Sequence, residues 1–108
     1  MTIPELTMSR IASSIFVELD VFWEGLSGVS KGTINDISRA GCYILTSGEV
    51  ENGDYVKILF PLSSGSTVVF WGVVVNHALD IGFGVKFFDL SPAQQDYLDK
   101  FVDILSPD

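Results

Sequence analysis

Residues 14–24 alternate: Ile15, Val17, Leu19, Val21 and Trp23 share one face, with Ser14, Glu18, Asp20 and Glu24 among those on the other, where Phe16 and Phe22 are the two apolar exceptions. A period of two describes a strand with one buried side, and no helix gathers such a pattern onto one stripe. The pattern recurs along the chain, broken each time by turn residues. Gly25-Leu26-Ser27-Gly28 ends the first run, and Val29–Asn35 returns as a second strand, which predicts a hairpin. Cys42–Thr46 is a short third strand. Ser47–Gly53 carries turn chemistry, with Asn52-Gly53 suited to positive φ, and Tyr55–Phe60 then alternates on Val56, Ile58 and Phe60 up to Pro61. After the loop Ser63-Ser64-Gly65-Ser66, the run Val68–Asn76 is apolar on both faces, which predicts a strand buried on both sides. In Ile81–Phe88 the residues Phe83, Val85 and Phe87 face one way, with Gly82 and Gly84 opposite, where they permit close approach or sharp curvature.

The period changes only at the end of the chain. Ser91 is placed as an N-cap, Pro92 suits the first helical turn, and Gln94 completes a capping box. Tyr97, Leu98, Phe101, Val102 and Leu105 then recur at three- and four-residue spacing, which predicts one amphipathic helix over 91–105. Six short strands followed by one helix predict a mainly β fold, a small six-stranded antiparallel barrel with a C-terminal amphipathic helix. A chain of 108 residues supports one such domain, here 14–108, preceded by a tail at 1–13.

Charge and composition narrow the function. Fourteen acids against six bases give a formal charge of −8, which argues against a nucleic-acid duplex or an anionic membrane surface as partner. The longest apolar run, Val68–Val75, is far short of a membrane span, so no membrane insertion is expected. Met1–Arg10 lacks the basic and apolar regions of a secretory signal, and a cytoplasmic location is the expectation. The single cysteine, Cys42, lies in an apolar run and is expected as a small buried hydrophobe. His77 is the only histidine, and neither metal-ligand spacing nor a local nucleophile motif is present, so no metal site and no catalytic residue are predicted. Asp89, Asp96, Asp99 and Asp103 are expected as solvated turn and helix positions.

One corner stands apart. Asp36-Ile37-Ser38-Arg39-Ala40-Gly41 places a carboxylate, a hydroxyl and a glycine between the second and third strands. Asp and Ser at this spacing can cap local N–H groups while presenting oxygens outward, and glycine permits positive φ or close approach by a ligand. The spacing, D-x-S-x-x-G, resembles the second signature of the PilZ domain, a bacterial receptor module for cyclic di-GMP. Further features follow in the family's order: Gly53-Asp54, Gly72-Val73-Val74-Val75, Gly84-Val85-Lys86-Phe87 and Asp89-Leu90-Ser91-Pro92. The resemblance spans roughly residues 13 to 105.

The resemblance implies a signalling adaptor with no cofactor, and with cyclic di-GMP as candidate ligand. Asp36 and Ser38 would contact guanine, Gly41 would keep the floor open, and Arg10 and Arg39 would be the available guanidinium groups. The family's other signature, R-x-x-x-R ahead of the first strand, is broken: four residues after Arg10 stands Ser14, and four before it Leu6. Losing one charge-assisted bidentate contact removes on the order of 1.5–3 kcal/mol, so a binder of weakened affinity is expected. The alternative is a degenerate module that binds no nucleotide and acts on an unidentified protein partner, with Phe16, Phe22 and Phe88 as candidate contact residues.

Overall fold

The computed structural model describes residues 15–62 and 64–105. Among the described residues six strands, β1 (Ile15–Gly25), β2 (Gly28–Ile37), β3 (Gly41–Leu45), β4 (Tyr55–Pro61), β5 (Thr67–Ala78) and β6 (Gly82–Phe87), precede one helix, α1 (Pro92–Leu105). All strand pairs are antiparallel, and the barrel closes in the order β1-β2-β3-β6-β5-β4. Closure removes the free edges that an open sheet of this size would leave.

The inward set is the one the alternation predicts. Val21 and Trp23 of β1, Val56, Ile58 and Phe60 of β4, and Phe83, Val85 and Phe87 of β6 are buried in one core with Ile34, Ile37, Ile44, Phe70 and Val74. Aromatic edges pack within it, with Trp23 5.0 Å from Phe83 and Phe70 5.2 Å from Phe60 between ring centroids. Cys42 is buried, and desolvation, reinforced by the charge of Asp36, pushes its thiol up from the ordinary value. Positive φ occurs at Gly53, as its Asn-Gly turn predicts, and at Gly28 and Gly65.

Two glycines close the β3–β6 seam. A Cβ on Gly41 would collide with the Val85 carbonyl, and one on Gly82 with the Ile44 carbonyl, so each end of this ladder requires a residue without a side chain. Gly41 therefore has a packing reason that is independent of any ligand, and its φ is not positive.

The expectation for β5 is corrected. Phe70, Gly72 and Val74 face the core, but Trp71 and Val75 on the other face are 41% and 48% exposed. The reason is where the helix sits: it covers one end of the barrel and leaves the outer wall of β5 open. The capping box forms, with Gln94 N–H donating to Ser91 Oγ (3.1 Å) and Ser91 N–H to Gln94 Oε1 (2.8 Å). Gln94 Nε2 also donates to the Val69 carbonyl (2.7 Å), fixing the start of α1 against β5. Leu98 and Val102 are buried, and Tyr97 lies 6.0 Å from Phe70. Phe16, Phe22 and Phe88 all point outward.

Candidate functional site

The β2–β3 corner lies at the helix-covered end. Ser38 N–H donates to the Gly41 carbonyl (2.8 Å), closing the turn. The Ser38 hydroxyl oxygen accepts from Ala40 N–H (3.1 Å) and Gly41 N–H (3.3 Å), and it lies 3.4 Å from the Gly41 carbonyl as a donor. Both lone pairs and the proton are thus engaged, and the residue is 5% exposed. The expected outward oxygen is absent at Ser38: its side chain shapes the corner from within.

Asp36 is directed differently, because a bulge precedes it. In β2 the register to β3 slips between Ile34 and Asp36, leaving Asn35 as the extra residue. Ile34 and Ile37 can therefore both point into the core although three residues apart, and Asp36 stays on the outer wall. A second bulge, at Val75 of β5, lies across the seam: Val75 is exposed by ordinary alternation after Val74, and the extra residue leaves Asn76 on the outer face as well, opposite Gly84. Between the two bulges lies an open depression of about 480 Å³, lined by Asp36, Ser38, Gly41, Tyr43, Val75, Gly84 and Lys86, with parts of Ala40, Cys42 and Val85. Gly84 lowers its floor, since the nearest atoms to a Cβ there belong to the Asn76 side chain. Partial burial pushes the Asp36 carboxyl up from its ordinary value.

The predicted site residues are only partly brought together. Asp36, Ser38 and Gly41 border the depression. Arg39 does not: its Nε lies 2.7 Å from Asp99 Oδ1 and its Nη2 2.9 Å from Asp103 Oδ1, on the helix. Asp99 and Asp103 are four residues apart and so share a helix face, which offers one guanidinium two carboxylates. The hydrogen bond to Asp99 raises the already high value of Arg39, and the pair of contacts turns Arg39 away from the depression it was expected to supply; Asp99 and Asp103 are exposed helix positions, as expected, that also hold this guanidinium. Arg10 and the tail at 1–13 lie outside the described residues.

Lys86 and Tyr43 are the lining residues that sequence reasoning missed. Both sit at outward positions of the alternation, which the sequence does reveal. The pairings Gly41↔Lys86, Asp36↔Tyr43 and Tyr43↔Gly84, which carry them to the corner, arise from strand register alone. The depression thus carries one carboxylate and one ammonium. Among the described residues no group of His, Cys, Asp and Glu is arranged to hold a metal ion, and no helix is long and apolar enough to cross a membrane.

A closed six-stranded barrel with a helix over one end and a bulge-framed depression on its outer wall defines a small β-barrel module. Residues 9–103 match the family model of the PilZ domain. The chain belongs to the PilZ domain family. Solved structures agree on the fold. The PilZ domain of CeSA from a cellulose-synthesizing bacterium superposes with a TM-score of 0.68 at 17% identity, covering 85% of this chain and 96% of that one. Borreliella burgdorferi PlzA in complex with c-di-GMP gives 0.69 at 12% identity, over 90% of this chain and 43% of that one. K. pneumonia MrkH in its apo state gives 0.64 at 18% identity, over 84% and 48% respectively. No curated protein sequence matches the chain.

Proposed function

We propose that this PilZ domain is a cytoplasmic signalling adaptor that binds cyclic di-GMP with weakened affinity at the Asp36 depression. The observation that carries the reading is a register pair: Phe16 lies opposite Asp36 and Ile15 opposite Ile37, so the chain enters β1 beside the corner. Arg10 stands five residues before Ile15 in sequence, within about 17 Å of it along even a fully extended chain. In this reading Arg10 brings a single guanidinium within reach of the depression, where the family places two.

Each group has a chemical task in this reading. Guanine offers N1–H and an exocyclic amine along one edge, and the Asp36 carboxylate can accept both. The low floor at Gly84 admits the face of the purine. Lys86 and Arg10 offset the two phosphates, though an ammonium cannot reproduce a guanidinium that both stacks and bonds bidentately. Contact between Arg10 and the ligand would tie residues 1–13 to the corner, and a protein partner would read that change. No chemical reaction is assigned to the domain.

Isothermal titration calorimetry tests the proposal directly. Heat with a dissociation constant of about 10–500 µM, lost in Asp36→Ala and weakened in Arg10→Ala, is expected. No heat with ligand at about 500 µM would refute it. That result would favour the second reading, a degenerate module acting only through protein contacts. One specific observation supports this alternative: the Ser38 hydroxyl and the Arg39 guanidinium, two other polar groups of the corner, are already bonded within the domain.

A further inference from the structure

The barrel end opposite the helix carries a second depression of about 480 Å³. Three connections meet there: the β1–β2 tip, the β3–β4 loop and the β5–β6 turn. Tips of this kind are normally polar, because they project into water and have nothing to pack against. Here they carry Leu26, Leu79 and Ile81, which are 91%, 70% and 58% exposed. Leu26 and Leu79 line the same depression although 53 positions separate them (79 − 26), so the two exposed leucines converge on one place.

The floor beneath them is fixed. A Cβ on Gly48 would strike the indole of Trp23, so the β3–β4 loop is seated directly on a core side chain. Trp23 Nε1–H donates to Thr46 Oγ1 (3.2 Å), whose hydroxyl donates to the Lys31 carbonyl (2.9 Å), and these bonds hold the loop in place. The walls are acidic: Glu49, Glu51 and Asp54 line the depression, and among the described residues no Lys or Arg does. Apolar anchors inside an acidic rim form a surface of defined complementarity.

We propose that this end of the barrel docks a basic amphipathic peptide segment of a protein partner. An apolar side chain of the segment inserts between Leu26 and Leu79, and its Lys or Arg residues face Glu49, Glu51 and Asp54. The same acids repel nucleic-acid and lipid phosphates. A second copy of the chain, itself at −8, brings few cations: Arg39, Lys57 and Lys100 already lie against Asp99 and Asp103, Glu24 and Asp96. The surface lies at the far end from the Asp36 corner, so it stands or falls independently of nucleotide binding.

The test uses two fluorescein-labelled peptides of about 18 residues and equal charge, one an amphipathic Leu/Lys helix and the other a Ser/Lys sequence. Anisotropy with the full chain is expected to show binding of the Leu/Lys peptide, and binding of the Ser/Lys peptide at least about tenfold weaker. The Leu26→Ser/Leu79→Ser double variant changes only exposed tips and should keep the wild-type circular dichroism spectrum, yet weaken the Leu/Lys peptide by at least about tenfold. Amide shifts on binding should cluster at residues 26–27, 48–54 and 78–82. Equal affinity for both peptides, indifference to the double variant, or shifts centred on the Asp36 corner would each overturn the proposal. So would binding that appears only after deletion of residues 1–13, which would assign the depression to the chain's own tail. A dimer dissolved by the double variant would likewise assign it to a second copy.

Discussion

Gly41→Ala separates what the corner does for the fold from what it does for a ligand. In β3, Gly41 lies opposite Lys86, and a Cβ there would overlap the Val85 carbonyl oxygen, with the carbonyl carbon at 3.0 Å and Lys86 Cα at 3.2 Å. All three atoms are backbone, so no rotamer change relieves the contact, and β3 must withdraw from β6 by about 1 Å or more. That movement strains the Phe87 N–H to Ala40 carbonyl bond (2.8 Å) and the Ser38 N–H to Gly41 carbonyl bond (2.8 Å). Overpacking of this kind costs about 1–3 kcal/mol, and a weakened hydrogen bond adds about 1 kcal/mol. The expected loss is about 2–4 kcal/mol, or a melting temperature lower by about 10–20 °C for a domain of this length. Gly84→Ala is the matched control. It borders the same depression, but its Cβ would meet only the Asn76 side chain at 3.1–3.4 Å, which can turn into solvent, so the expected cost is below about 1 kcal/mol. Urea unfolding followed by tryptophan fluorescence measures both, since Trp23 is buried against Phe83 and reports the loss of the core. If Gly41→Ala unfolds within about 0.5 kcal/mol of wild type at an unchanged m-value, the strand-collision argument is wrong.

Two further variants probe the charges. Burial raises the folded-state value of Asp36, so the penalty for its ionised form is absent at acid pH and develops as pH rises through the carboxylate range. Asp36→Asn should therefore melt above wild type at pH 7, with the gain vanishing as pH falls below that range, and it should lose any heat with cyclic di-GMP; a variant less stable than wild type at pH 7 would contradict this. Arg39→Gln removes exposed ion pairs to Asp99 and Asp103, so a small drop in melting temperature at low salt is expected, shrinking toward zero near 1 M NaCl. A drop that persists at high salt would show that Arg39 holds the corner by packing.

The strands were legible because each inward side chain announces itself by alternation, a local property. Val56, Ile58 and Phe60 follow the period of two without exception, and the helix start at Ser91 is written in its capping residues. Val68–Val75 was misleading for a related reason. Hydrophobicity predicts a wish for burial, but whether the outer face of β5 is covered depends on where α1 lands, and it lands on the barrel's end.

The corner divides along the same line. Sequence alone determined the family, the six strands, the helix and the presence of Asp36, Ser38 and Gly41 at one turn, because these depend on residues close together in the chain. It also showed that Arg10 has no partner four residues away. Tertiary structure alone decided that Arg39 turns to Asp99 and Asp103, some sixty positions distant, that Ser38 is satisfied internally, and that Lys86 and Tyr43 border the depression. Two bulges put Asp36 and Asn76 on the outer face, and the partner strand that skips a residue at each of them lies far along the chain. Which groups meet is fixed by register and closure of the barrel, and those are properties of strands paired across the whole chain.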